Sequence, residues 1–386
     1  MLAHTPRLGE ENVGLDMALD RVLARDVTAA RDLPPFACSA MDGYALAPGP
    51  AGRTLTVIGE SRAGTPADRS PKDGEAIRIS TGAVVPAGPT AVIRQEDVDA
   101  LGSEIRTRAA SFAGDNIRQA GQDQQLGATM LRSGTPVGAV ALGAAVDAGA
   151  AGVFVARRPR VAVLCTGNEL RAPGEPLGPG QIHNSNALML AALATQCGAS
   201  AEPAVRLRDD LATIESALGP ALARSDVVVL SGGVSVGPHD HVKSALAELG
   251  VAEVFWGVAL KPGKPTWFGT LDRKLVFGLP GNPVSALVTF TLFAAPALAA
   301  LQGVDAPHRI GSEATLGISV LRNRDREQAL PVRLEHRHGC TIALPNGDRR
   351  SHLLGSLLMA DALALIPRGD GELETGTSVP LVELPN

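Results

Sequence analysis

The residues best suited to chemistry lie between Asp226 and Asp240, where Val227-Val228-Val229-Leu230 runs into Ser231-Gly232-Gly233-Val234-Ser235-Val236-Gly237. Small residues let backbone N–H groups approach phosphate oxygens closely, and a helix starting at the loop adds favourable potential for an anion. The loop therefore reads as a phosphate cradle, although a tight turn that needs glycine only for packing has the same local pattern. The bracketing carboxylates of Asp226 and Asp240 suit Mg²⁺ coordination or phosphate-ester chemistry. Two more rigid polar loops follow, Lys261-Pro262-Gly263-Lys264-Pro265 and Gly278-Leu279-Pro280-Gly281-Asn282-Pro283-Val284-Ser285. Loops of this kind at successive strand ends converge on one edge of an α/β sheet, where ligands bind. The chain uses arginine almost everywhere, yet Lys243, Lys261 and Lys264 fall in this region, as compact point charges facing an anion would.

The elements that must position these loops alternate between strand and helix. Strands are expected at 161–165, 201–205 and directly after Asp226, with helices at 187–196 behind an Asn184-Ser185 cap, from Asp209-Asp210 to 223, and at 241–249. Such alternation implies a parallel doubly wound sheet. Glu169 then falls just beyond the first strand's carboxyl end, on the side of the Ser231–Gly237 loop. Upstream, 15–26 reads as an amphipathic helix because Leu15, Leu19, Val22 and Leu23 share a face. The prolines of Asp32-Leu33-Pro34-Pro35-Phe36 make an extended connector, leading to Asp42-Gly43, a turn with a free carboxylate. From 55 to 130 the pattern is of short strands in a small all-β module, punctuated by Thr81-Gly82 and Gly121-Gln122-Asp123. Alanine and glycine dominate 134–152, with a helix expected at 137–148, and Arg157-Arg158-Pro159-Arg160 reads as a solvated linker. After Val304, short strands at 329–335, 340–344 and 379–384 argue a terminal β-barrel or sandwich.

Composition sets the outer limits. A chain of 386 residues exceeds one ordinary core and should divide into several domains. A net charge of -5 with 3% aromatic residues gives no basic footprint for nucleic acid. Cys38, Cys165, Cys197 and Cys340 are far apart and no leader is evident at the N-terminus, so the thiols read as reduced in a cytoplasmic protein. The apolar stretch Pro283–Leu301 contains Pro296 and reads as a buried helix rather than a membrane span. His239/His241 and His336/His338 lack the further ligands of a zinc site, and no Gly-x-Ser-x-Gly elbow appears.

Taken together with Ser39-Ala40-Met41-Asp42-Gly43-Tyr44-Ala45, Thr81-Gly82-Ala83-Val84-Val85-Pro86 and Thr166-Gly167-Asn168-Glu169-Leu170, these loops resemble the MoeA family, the molybdopterin molybdenumtransferases, also known as the gephyrin E-domain family. The resemblance runs from about Leu19 to Arg368, with looser motifs near Ser351 and at 360–367. It implies a multidomain α/β plus β fold. A MogA-like parallel α/β domain (159–304) would sit beside an elongated, interrupted N-terminal domain (1–45 and 131–158), an inserted β module (46–130) and a C-terminal β-barrel (305–386). It also implies insertion of molybdate into adenylylated molybdopterin with release of AMP, Mg²⁺ as cofactor, and a homodimer whose site is shared between chains. Other proteins of molybdenum cofactor biosynthesis are the implied partners.

By the same resemblance Asp42 is an active-site acid, and Thr81, Asp123 and Glu169 contribute to substrate binding or catalysis. Lys261, Lys264, Ser285, Arg333 and Ser351 form the molybdate pocket, and Pro280 and Pro283 are further substrate-binding residues. Asp42, Asp226 and Asp240 are the expected metal ligands, and Ser231, Gly232, Gly233, Ser235 and Gly237 the phosphate cradle. Gln122, where the family has glutamate, and Ala37-Cys38, where it has Asp-Asn, depart from the pattern. Two other classes stay open: a CinA-like nucleotide pyrophosphatase, and a non-catalytic pterin carrier or scaffold.

Overall fold

The computed structural model describes residues 1–88, 90–233, 241–305, 310–337, 339–346, 355 and 357–384. Ser235, Gly237, Asp240 and Ser351 lie outside this set.

A mixed sheet organises the middle of the chain. Its order is Ser200–Ala201, Arg160–Thr166, Val227–Ser231, Lys274–Leu279, Trp267–Leu271, Ala252–Trp256, with Val205–Leu207 also pairing Arg160–Thr166. The pairings from Ser200–Ala201 through Lys274–Leu279 are parallel; the last two strands turn back antiparallel. Strands buried on both faces need apolar residues at every position, and here alternate residues serve opposite faces. Val161, Val163, Cys165, Val227 and Val229 pack beneath the Ser185–Gln196 helix and Phe290 and Leu298 of the 283–301 segment. Ala162, Leu164, Val228 and Leu230 meet the Leu211–Arg224 and His241–Glu248 helices through Ile214, Leu218, Val242 and Leu246. Truncating a fully buried leucine such as Leu218 to alanine would cost about 2–5 kcal/mol. Most of the Pro283–Leu301 segment is buried and forms part of this core. It runs as helix Pro283–Thr289, a π-helical turn Phe290–Ala294 and helix Ala295–Leu301. The wide turn ends two residues before Pro296, which has no N–H to donate.

The N-terminal segment and the 129–156 segment close on each other around an insertion. Glu10–Gly14 pairs antiparallel with Gly152–Ala156, and Val27–Thr28 with Thr129–Leu131. The helix Ala139–Asp147 lays Ala141 and Ala145 against Ala18, Leu23 and Val27. The expected helix at 15–26 does not form. Only Leu15–Met17 makes a 3₁₀ turn, Asp20 takes φ +59°, and Leu19 is half exposed. Long-range pairing has overridden the local periodicity: the Asp20 amide donates to Val137 O at 3.0 Å and the Leu23 amide to Thr135 O at 3.0 Å.

Inside the insertion a six-stranded sheet runs Ala91–Arg94, Gly43–Leu46, Glu75–Ile79, Thr54–Ser61, Glu104–Thr107, Val98–Leu101. At the C-terminus Glu327–Arg337, Cys340–Pro345, Ile310–Leu316, Ser378–Glu383 and Ala362–Ile366 form a closed barrel, since the last strand pairs back with the first. Closure leaves no free sheet edge within the ring. The two-residue strand Leu260–Lys261, from the Lys-Pro-Gly-Lys loop, adds in parallel to Glu327–Arg337 and ties the barrel to the α/β domain.

Candidate functional site

Register brings the loops together. Cys165 lies opposite Ser231, and Ser231 opposite Leu279, so three segments leave the parallel sheet at the same level on its carboxyl edge. Gly232 and Gly233 then turn with φ +88° and +65°. A Cβ on Gly232 would lie 2.7 Å from Thr166 O, and one on Gly233 would lie 2.6 Å from Val242 Cγ2. Both conformation and space demand glycine there.

Asn186, one residue into the Ser185–Gln196 helix, locks this turn to the next loop. Its Nδ2 donates to Ser231 Oγ at 2.9 Å and to Gly281 O at 2.7 Å, while Ser231 Oγ donates to Pro280 O at 3.4 Å. The carbonyl can only accept, so it fixes which end of the amide faces it. Asn186 Oδ1 and Thr166 Oγ1 are buried without a hydrogen-bond partner among the described residues. Asn184 caps the helix by accepting from the Ala187 amide at 3.2 Å.

These groups line a cleft of 620 Å³ whose wall also carries Glu169, Asp209 and Pro283. Asp209 is held by reciprocal bonds: the Asn168 amide donates to Asp209 Oδ2 at 3.2 Å, and the Asp209 amide to Asn168 Oδ1 at 3.3 Å. Burial pushes the Cys165 thiol up to about 11, so it faces the cleft as a neutral thiol and not as a nucleophile.

Other expected site residues lie elsewhere. Asp226 precedes its strand and so stands at the amino edge, roughly 16 Å of strand from the glycine turn. Its carboxylate accepts from Arg157 Nη2 at 2.9 Å, Arg157 Nη1 at 3.0 Å and the Arg160 amide at 2.8 Å. Burial raises the pKa of this carboxyl, but the bonds from Arg157 and Arg160 outweigh that and leave it below the ordinary range. Asp226 is thus a structural clamp and not a metal ligand beside the loop. Equally, Arg157 and Arg160 are not a solvated linker.

Asp42 and Thr81 do meet, in the β module. Asp42 Oδ1 accepts both the Thr81 amide and its hydroxyl, so this carboxylate is held, not free. Asp123 is exposed nearer the module's stem, its amide donating to Leu33 O at 2.9 Å. Gln122 accepts from the Gln119 amide at 2.9 Å, closing the turn that carries Asp123. Lys261 and Lys264 are exposed and Ser285 is buried in the first turn of the 283–289 helix. Arg333 lies five residues beyond Gln328, the residue opposite Lys261, or roughly 17 Å along that strand, and pairs with Glu335. Lys243 sits over the Trp256 ring at 4.1 Å.

Sequence reasoning missed Asn186, Thr166 and Asp209. Asn186 was hidden by the Asn184-Ser185 cap signal, and Asp209 by its neighbour Asp210, which is the actual helix cap and accepts from the Thr213 amide at 2.8 Å.

Fold and cleft place the protein among α/β proteins that bind ligands at the carboxyl edge of a parallel sheet. Family models match three successive stretches: the MoeA N-terminal region (domain I and II) at 1–149, a probable molybdopterin binding domain at 162–300, and the MoeA C-terminal region (domain IV) at 313–384. Molybdopterin molybdenumtransferase 2 of Mycobacterium tuberculosis is 36% identical, the alignment covering 96% of this chain and 94% of the relative. The Haemophilus influenzae molybdopterin molybdenumtransferase is 35% identical over 96% and 93%. A molybdopterin biosynthesis MoeA structure from Pyrococcus horikoshii superposes with a TM-score of 0.85 at 30% identity, covering 99% of this chain and 97% of that one. The chain belongs to the MoeA family of molybdopterin molybdenumtransferases.

Proposed function

We propose that the chain takes adenylylated molybdopterin and molybdate, cleaves the phosphoanhydride, releases AMP and leaves molybdenum on the pterin dithiolene. In the cleavage an oxygen of water or molybdate adds to one phosphorus while the bridging P–O bond breaks, its electron pair leaving on the other phosphate. The observation that carries this reading is the Gly232–Gly233 turn pressed onto Thr166 at the mouth of the 620 Å³ cleft. A backbone N–H at such a turn acts as a preorganised donor to a phosphoanhydride, here that of Gly233, since the Gly232 N–H already donates to Leu279 O at 3.1 Å.

Mg²⁺ typically takes one or two carboxylates, and phosphate oxygens of the substrate complete its shell. Glu169 and Asp209 supply that donor set in the cleft. Among the described residues no group of three or more metal-binding side chains is gathered. When bound, the ion supplies charge neutralisation on the pyrophosphate. Lys261, Lys264 and Ser285, with Arg333 and Ser351, are our candidates for the molybdate pocket.

Two further parts of the reading have their own support. A homodimer agrees with apolar side chains turned outward on the N-terminal half, Val140 at 89% and Phe112 at 69% exposure. A cytoplasmic setting agrees with four cysteines that are not joined in disulfides.

The test is to incubate pure protein with adenylylated molybdopterin and Mg²⁺, with and without molybdate, and follow AMP. Molybdate-dependent AMP release is expected. Cleavage of free ADP-ribose without molybdate would instead mark a nucleotide pyrophosphatase, and pterin binding with no AMP would mark a carrier.

A further inference from the structure

A second cavity, of 730 Å³, opens beside the cleft and shares Gly167 with it. Its walls carry Arg171, Arg206 and Arg208 against one carboxylate, Glu175. Two of the guanidiniums are held by a single oxygen: Arg171 Nη1 donates to Leu170 O at 2.6 Å and Arg206 Nη1 to the same Leu170 O at 2.7 Å. Arg171 Nη1 also donates to Asn168 O at 3.1 Å. Glu175 lies 4.0 Å from Arg206, at the limit of an ion pair, and already accepts from the Ala172 amide at 2.9 Å. Asp210, near Arg208, accepts from the Thr213 amide and hydroxyl, each at 2.8 Å.

Two cations fixed on one carbonyl repel each other, and the cavity's charge is not balanced by its own walls. An anion between them would offset that repulsion and accept from the guanidinium N–H groups that face away from Leu170 O. The volume is within the roughly 300–1,000 Å³ of ordinary small-molecule sites. By contrast, among the described residues no lysine or arginine lines the first cleft, whose charged side chains are the carboxylates of Glu169 and Asp209. The two cavities therefore differ in charge and meet at a glycine.

We propose that the arginine cavity seats the adenylyl half of the substrate, with its phosphate between Arg171, Arg206 and Arg208, while the pterin half occupies the first cleft. The assignment rests on the transferase reading above. It places the phosphoanhydride across Gly167, with one phosphorus toward the glycine turn and the other toward the arginines. After cleavage AMP is left in the arginine cavity.

The test uses calorimetric titration of the intact protein with AMP, adenosine and inorganic phosphate, comparing wild type with Arg206→Ala/Arg208→Ala. Wild type should bind AMP at least tenfold more tightly than adenosine, and the double variant should lose at least tenfold in AMP affinity while binding molybdopterin as before. Inorganic phosphate competing with AMP in wild type supports the phosphate as the anchored group. Arg208→Ala alone, which removes no backbone contact among the described residues, keeps the test in hand should the double variant unfold. Equal affinity for AMP and adenosine, or AMP affinity unchanged in the variants, overturns the assignment. Failure of the transferase reading registers separately, as wild-type protein that releases no AMP in response to molybdate.

Discussion

Asp42 Oδ1 accepts two hydrogen bonds from one residue, the Thr81 amide at 2.7 Å and the Thr81 hydroxyl at 3.0 Å. Two motifs 39 residues apart in the chain are thereby fused into one unit. The neighbouring Gly43 permits it, because a Cβ there would lie 1.9 Å from Ile93 O. The Thr81 amide bond, then the hydroxyl bond, hold the Asp42 carboxyl below its ordinary range. If the ionised carboxylate is the working form, Asp42→Asn should lower kcat by about a hundredfold or more. Thr81→Val removes only the hydroxyl bond, so the Asp42 pKa rises and the acid limb of the kcat/KM profile moves to higher pH, with little change at pH 7. Thr81→Ser should restore the profile. An acid limb that stays in place in Thr81→Val would detach Asp42 from the chemistry.

Asp226 is expected to matter for stability and not for turnover. Its clamp lies between the limits for exposed and buried ion pairs, so Asp226→Asn should destabilise by about 1–3 kcal/mol. Because the folded-state pKa is depressed, the contribution is present above the ordinary carboxylate value near ~4 and is lost as pH falls through the folded value. Melting curves of wild type and variant should differ at pH 7 and converge in acid. A collapse of AMP release with an unchanged melting temperature would return Asp226 to the site.

Lys264→Ala should raise the molybdate concentration for half-maximal turnover by about tenfold, as loss of one charge-assisted contact implies, with pterin binding nearly intact. Pterin titrations with and without molybdate separate the two effects. Equal loss of pterin affinity would move Lys264 into the pterin site.

The working site is expected to join two chains. Asp42 and Thr81 make their side-chain bonds with each other inside the β module, whereas Glu169 lines the α/β cleft. In a symmetric dimer one chain's module can reach its partner's cleft. Mixing inactive Asp42→Asn with inactive Glu169→Gln would then place both lesions in one site and leave the other whole. Random exchange should restore about a quarter of wild-type activity, half the dimers being mixed with one good site in two. Proven subunit exchange with no recovery would mean that each site belongs to one chain.

By itself the sequence determined the strand–loop–helix alternation of 160–249, the buried Pro283–Leu301 segment and the need for glycine at Gly232 and Gly233. Each follows from local patterns of burial and backbone freedom. It also held one fact that went unread: Asp226 precedes its strand and the glycine turn follows it, so the two had to stand at opposite sheet edges. Only the tertiary structure decided that 15–26 is not a helix, because its backbone partners at 135–137 lie over a hundred residues away. The same holds for Arg157 and Arg160 on Asp226, for Asn186 bridging Ser231 and Gly281, and for two arginines sharing Leu170 O. A side chain's periodicity tells which way it faces within its own element. What it meets depends on register between distant strands, which sets the level at which each loop leaves the sheet.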